Sequence, residues 1–118
     1  MNHYKLVLPE FMNDQGALFG GYLLKWIDEF AYITANLDYP GNRFVTISLD
    51  NVVFRKPIDV GYILCFVVTE SHLGSSSIRY TVEVFNSKTD SENNELLFET
   101  HIAFVNVDKS GKKKTIVK

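Results

Sequence analysis

The chain has 118 residues, of which 46% are hydrophobic, 22% charged and 14% aromatic, with a net charge of −2. That length supports one domain with a core of its own, and the small negative charge excludes a global pull toward nucleic acid or anionic membrane. A single cysteine excludes an intrachain disulfide and fits a reducing, cytoplasmic setting.

The N-terminal segment lacks the long apolar core of a signal peptide, and no apolar run reaches membrane-spanning length. Residues 3–8 read as a short strand stopped by Pro9, and 9–16 as a turn region. The spacing predicts a helix over about 18–36, ended by Leu37-Asp38-Tyr39-Pro40-Gly41-Asn42. Lys25, Glu29 and Asn36 form one narrow polar stripe on it, so the helix is expected to be buried on most sides. Asp28 falls about 70° from that stripe, beside Leu24, Ala31 and Ala35, at the edge of the buried face. Strands are predicted over 43–54 and 62–72, flanking the turn 56–61. Cys65 falls in the second of them and reads as a buried, inert thiol.

A third long strand, 77–86, follows Gly74-Ser75-Ser76, and Ile78, Tyr80, Val82 and Val84 alternate with polar residues. A polar loop, 87–94, leads to the last strand, 95–107, where Phe98, Thr100, Ile102 and Phe104 share a face. Residues 1–108 thus form a single domain, and the basic tail 109–118, with Lys112, Lys113 and Lys114, is expected to be flexible. The order predicts an α+β domain in which a five-stranded antiparallel meander curls around one long central helix, the outline of a hotdog fold.

The stretch from Asn13 to Asp28 carries the chemistry. A Gly20-Gly21 pair at a helix start lets a ligand approach bare N–H groups at the positive end of the helix dipole, a place for an oxygen bearing negative charge. Asp28, two turns on, sits among apolar neighbours; poor solvation makes such a carboxylate a better proton acceptor. Yet eight residues of helix separate Gly20 from Asp28 by roughly 12 Å. Groups that act together on one carbonyl must lie within roughly 3–4 Å of it. If both act on one acyl group, they come from different subunits. Two helices antiparallel across a two-fold axis would supply this, giving a dimer with two equivalent sites.

The segment Asn13-x-x-Gly16-x-Leu18-Phe19-Gly20-Gly21-x-Leu23-x-x-Trp26-Ile27-Asp28 resembles the acyl-CoA thioesterases of the hotdog superfamily. The likeness begins at Leu8-Pro9 and continues through Val45-Thr46, Asp50, Val52, Phe54, Pro57, Gly61 and Gly74-Ser75-Ser76. It implies a wrapped hotdog domain that hydrolyses an acyl-CoA thioester to a free carboxylate and CoA, with no cofactor besides the CoA of the substrate. Carried over by position, the Gly20 N–H and the Asn13 side chain of one subunit polarise the carbonyl. Asp28 of the other activates water as general base or, as the second route, attacks as nucleophile. Thr46 would help to hold the water. Phe19, Gly21 and Ser76 would line the substrate site, and Lys56, with the lysines of the tail, is available to the CoA phosphates. The chain departs from many relatives in having Tyr62 where they carry an acid after the glycine. The resemblance also implies dimers that assemble further into tetramers or hexamers, and a place in lipid metabolism.

Other chemistries find less support. His3, His72 and His101 are scattered, so neither a metal site nor the histidine–acid pair of hotdog dehydratases is expected. Ser75–Ser77 read as a strand entry and not as part of a nucleophilic triad. The glycine pair is no dinucleotide fingerprint, because no βαβ unit surrounds it. The alternative from another class is a non-catalytic acyl-CoA binder or sensor using the same pocket; the acid at Asp28 and the donor at Asn13 favour the enzyme.

Overall fold

A computed structural model of the chain describes residues 1–50, 54–87 and 95–118. In chain order it contains β1 (Asn2–Leu6), a 3₁₀ turn (Pro9–Phe11), α1 (Gly20–Asp38), β2 (Phe44–Leu49), β3 (Ile63–Leu73), β4 (Ser77–Asn86) and β5 (Leu96–Asn106). The expected 43–54 strand extends over 51–53, and the expected 87–94 loop over 88–94; those residues, Val52 among them, lie outside the described ones.

The architecture is the α+β arrangement expected, one helix packed on one five-stranded antiparallel sheet. Its strand order corrects the meander: the sheet runs β1-β3-β4-β5-β2. β2 does not pair with β3, which follows it in sequence, but crosses to the far edge and pairs with β5, Thr46 opposite Phe104. Alternation tells which face a residue occupies and says nothing about which strand lies beside it.

β4 keeps the strict alternation, burying Ile78, Tyr80, Val82 and Val84. With Phe66 and Val68 of β3 and Phe98, Ile102 and Phe104 of β5 they form the floor on which Leu23, Trp26, Ile27, Ala31 and Ala35 of α1 pack. Cys65 is buried. The helix starts two residues later than the periodicity predicts because other segments claim the backbone there. Leu18 N–H donates to Ile58 O at 2.8 Å and Phe19 N–H to Phe11 O at 2.9 Å. It runs two residues further, to Asp38, and Tyr39 N–H closes it on Ala35 O; Pro40 disfavours a helical residue before it.

Burial of α1 departs from the sequence reading. Leu23, Trp26, Ile27, Ala31, Thr34 and Ala35 are buried, but the opposite face is open over Tyr22, Lys25, Glu29, Tyr32, Ile33 and Leu37. Leu37 is 64% exposed and Tyr32 45%. The nearly all-apolar helix therefore needs a second cover that one sheet does not provide.

The tail also departs from expectation. Residues 109–118 double back against the sheet: Lys114 N–H donates to Asn106 O, Ile116 N–H to Ser75 O, and Val117 N–H to the Asn42 side chain. Ile116 is only 5% exposed and joins the core. The run of lysines hid this apolar anchor, and the buried Asn106 amide, donating to Thr115 O, helps to hold it.

Candidate active site

Asn13 organises the entry to α1. Its Oδ1 accepts the Gln15 N–H at 2.9 Å and the Ala17 N–H at 3.1 Å, and its own N–H donates to Ala17 O at 2.7 Å. Gly16, at φ +76°, takes the left-handed conformation that lets the loop close. With the oxygen committed to backbone donors, the side-chain amide of Asn13 is left with its NH₂ as the group to offer a ligand.

The loop leads directly to the helix start. The first N–H groups of an α-helix have no acceptor within it; here Tyr22 N–H turns back to Phe19 O at 3.1 Å, and Gly20 and Gly21 precede it. A side chain on Gly20 would meet the ring of Phe54 at 3.2 Å. Phe54 in turn packs on Phe98 with ring centres 5.6 Å apart. Because Leu18 is bonded to Ile58, the segment from Phe54 to Ile58 is held over the helix start. Together they enclose a cavity of about 420 Å³ lined by Asn13, Gly20, Phe54, Arg55, Lys56 and Ile58, among others. Three of the residues singled out in the sequence, Asn13, Gly20 and Lys56, are thus brought together. Lys56 is paired with the Glu95 carboxylate, which holds its ammonium pKa above the ordinary lysine value.

Asp28 lies elsewhere. Thr46 Oγ1 donates to Asp28 Oδ1 at 2.7 Å, tying β2 to α1. The pair lines a second hollow, of about 450 Å³, with Lys25, Glu29, Tyr32 and Phe44. The half-buried position of Asp28 is the edge of the buried face that the helical spacing indicates.

The remaining sequence candidates are dispersed. Phe19 and Gly21 line a separate shallow hollow of about 250 Å³ with Tyr22 and Lys25. Ser76 lines none of these hollows within one chain; its carbonyl accepts Asn106 N–H at 2.7 Å as the turn enters β4. Arg55 and Phe54 were not singled out as site residues. The signal for them was Pro57, whose turn brings the preceding residues to the helix start. Among the described residues no group of histidine, cysteine and acidic side chains is placed to hold a metal ion. Among them, too, no helix is long and apolar enough to cross a membrane.

Two features mark an unfinished surface. Among the described residues β2 pairs only with β5, so its other edge is free, and Val45 and Ile47 on it are 46% and 56% exposed. Beside it runs the open apolar face of α1. A free edge next to an apolar patch is a surface built for pairing.

Comparison with known proteins agrees with this outline. A family model of the Thioesterase superfamily matches residues 15–92. A Haemophilus influenzae protein named as an uncharacterized acyl-CoA thioester hydrolase is 32% identical over 114 residues, covering 94% of this chain and 73% of its own. An acyl-CoA hydrolase of Staphylococcus aureus, solved with butyryl coenzyme A and coenzyme A, superposes with a TM-score of 0.86 at 36% identity, over 98% of this chain and 70% of that one. The same enzyme has been solved with an aspartate, a threonine or an asparagine replaced by alanine. A hexameric thioesterase of Yersinia pestis superposes with a TM-score of 0.86 at 28% identity, over 98% of this chain and 93% of that one.

Proposed function

The chain belongs to the thioesterase superfamily, and from that premise and the two half-sites we propose that it hydrolyses acyl-CoA thioesters to a carboxylic acid and CoA as a two-fold dimer. The observation that carries this reading is the separation of donor and base. Asn13 and Gly20 share one hollow and Asp28 and Thr46 another, on a helix whose open apolar face and neighbouring sheet edge invite a second copy. An antiparallel pair of α1 helices brings each base hollow to the partner's donor hollow.

In that arrangement the substrate carbonyl oxygen accepts from the partner subunit's Gly20 N–H and the partner subunit's Asn13 Nδ2. The Thr46 hydroxyl fixes Asp28 Oδ1 and leaves Oδ2 to take a proton from water. The water oxygen bonds to the carbonyl carbon, and negative charge builds on the carbonyl oxygen, where the two donors stabilise it. Collapse breaks the carbon–sulfur bond, and the CoA sulfur leaves with the proton that Asp28 took up. No cofactor beyond the CoA of the substrate is required. The residues replaced in the S. aureus enzyme support these roles by type, and its asparagine and aspartate are as many residues apart as Asn13 and Asp28. The buried single cysteine is compatible with the cytoplasmic setting proposed for the protein.

A free-thiol assay over acetyl- to palmitoyl-CoA and aryl-CoAs tests the reading and finds the acyl preference. Asp28→Ala is expected to stay folded and lose most of the rate, since a positioned general base contributes about 10²–10⁴-fold. Undiminished turnover in the folded variant would remove Asp28 from this role. Tight binding of acyl-CoA with no thiol release by the wild type would identify a sensor instead.

A further inference from the structure

Asn106, at the end of β5, is 1% exposed and gives its whole side chain to other segments. Its Oδ1 accepts the Arg43 N–H at 2.7 Å, and its Nδ2 donates to Asn42 Oδ1 at 3.1 Å and to Thr115 O at 3.2 Å. Asn42 completes the knot. Its Nδ2 donates to Tyr39 O and to Val117 O, each at 2.9 Å, and its Oδ1 also accepts the Val117 N–H at 2.8 Å. The two amides thus join the end of α1, the entry to β2, the end of β5 and the returning tail. A buried amide with its bonds made fixes the groups around it, because a shift strands a polar atom away from water.

What they fix leads to the proposed base. Among the described residues β2 pairs only with β5, and its mostly exposed side chains give little buried face to lock the register. A bulge interrupts the ladder between Thr46 and Ser48, directly after the residue that holds Asp28. Thr46 is therefore aligned from its N-terminal side, where Phe44 faces Asn106 and Val45 faces Val105. There the ladder closes through a side chain. Val107 N–H donates to Arg43 O at 3.0 Å, but the Arg43 N–H turns to Asn106 Oδ1, where a regular antiparallel pair would return it to the Val107 carbonyl. Arg43 lies about 10 Å along the strand from Thr46, and the end of α1 at Asp38 about 15 Å along the helix from Asp28. Helix and strand are tied together at Asp28–Thr46 and again, through Asn42 and Asn106, where α1 ends and β2 begins.

We propose that Asn106, braced by Asn42, is a positioning residue for hydrolysis: it sets the start of β2 so that the Thr46 hydroxyl meets the Asp28 carboxylate. This rests on the hydrolase reading and on Asp28 as its base. Asn106 acts through Thr46 and not by contact with substrate. The two ends of its amide have separate duties. The oxygen aligns the strand through Arg43, and the NH₂ holds the tail through Thr115 and Asn42.

The test is a double-mutant cycle on kcat with Thr46→Val, in proteins whose melting curves show them folded. Asn106→Ala should lower kcat about tenfold when Thr46 is present and less than about twofold in the Thr46→Val background, with the KM for acyl-CoA within about twofold in both. The melting temperature, which the lost core hydrogen bonds lower by themselves, should fall equally in the two backgrounds. Asn106→Asp retains an acceptor for the Arg43 N–H, so it should recover most of the kcat while the melting temperature stays low. Where Asn106→Ala does not fold, Asn42→Ala, which removes the brace, carries the same cycle with a smaller loss. Amide hydrogen exchange followed by NMR reads the same alignment without catalysis. Asn106→Ala should raise the exchange rate at Val45 at least about tenfold more than at Val82 in the central strand β4. Losses in kcat that multiply fully in the double variant, an unchanged kcat in folded Asn106→Ala, or exchange that rises evenly at Val45 and Val82 would overturn the proposal. A wild type that cleaves no thioester refutes the hydrolase reading instead, and the exchange at Val45 then decides alone whether Asn106 sets β2.

Discussion

Thr46 Oγ1 and Asp28 Oδ1 are 2.7 Å apart, in one chain and across two elements. The strand therefore fixes the orientation of the helical carboxylate before any substrate arrives. Thr46→Val keeps the shape of the side chain and removes the donor. A hydrogen bond to a charged group is worth about 1.5–3 kcal/mol, so kcat should fall about ten- to a hundredfold if the contact tightens in the transition state. Thr46→Ser should recover most of the loss. Steady-state kinetics with wild-type kcat in Thr46→Val would leave the hydroxyl a purely structural contact.

Asn13 has two duties that one substitution separates. Its oxygen closes the loop onto Gln15 and Ala17, and its NH₂ is the proposed donor to the substrate. Asn13→Asp keeps an acceptor for the loop but removes the donor and adds repulsion toward a developing oxyanion. The rate should drop about 10²–10³-fold, as for loss of one oxyanion donor, with the melting temperature preserved. Asn13→Ala should lose the rate and also about 1 kcal/mol of stability for the broken loop bonds. Equal melting temperatures for the two variants would show that the loop does not depend on the Asn13 oxygen.

The separation of Asn13 and Gly20 from Asp28 was legible because these three lie within sixteen consecutive residues, where helical rise converts spacing directly into distance. The long strands were legible from alternation, as in Ile78, Tyr80, Val82 and Val84. What escaped depends on contacts between segments far apart in sequence. β2 pairs with β5 instead of β3, and its mostly exposed residues, such as Val45 and Ile47, give no alternation that points to a neighbour. The tail reads as solvated from its lysines, while one isoleucine and a distant buried amide, Ile116 and Asn106, decide its course. Arg55 shows no periodicity of its own and lines the donor hollow in a segment that the Leu18–Ile58 bond holds over the helix start.

His3 gives the fold a mild pH dependence. Its ring stacks on Phe30, with centres 4.8 Å apart, and Nε2 lies 2.9 Å from Thr34 Oγ1. Burial, and secondarily the Met1 ammonium, lower its pKa from 6.5. A base with a depressed folded-state pKa takes up protons more readily when unfolded. Its contribution is therefore present above pH 6.5 and is lost as pH falls through the folded value. The melting temperature should decline more steeply below pH 6.5 in the wild type than in His3→Gln. Parallel curves for the two proteins would assign the acid limb to other groups.

Ile116 tests whether the tail belongs to the domain. It is 5% exposed, and its N–H donates to Ser75 O at 2.9 Å. Ile116→Ala should cost about 2 kcal/mol, the lower end for a buried isoleucine because a terminal segment can partly collapse onto the gap. Denaturant titration reads this as a lower midpoint with an unchanged slope. A midpoint equal to that of the wild type would return the tail to solvent.

The proposed division of each active site between two subunits makes a prediction that no single variant can imitate. Asp28→Ala lacks the base but keeps Asn13, and Asn13→Asp lacks the donor but keeps Asp28; each homodimer has two dead sites. In a mixed dimer, the Asp28 of one chain meets the intact Asn13 of the other, while the second site combines both defects. Random pairing places about half of the molecules in mixed dimers with one working site of two, so about a quarter of wild-type activity should return. Co-expression of the two variants under separate affinity tags, followed by tandem purification, isolates the mixed species, which should show about half the wild-type kcat per dimer at an unchanged KM. If donor and base instead served one substrate within a chain, every site in the mixture would carry one defect and no activity would return. The roughly 12 Å between Gly20 and Asp28 along α1 excludes that geometry, and the two separate hollows of the single chain agree with it.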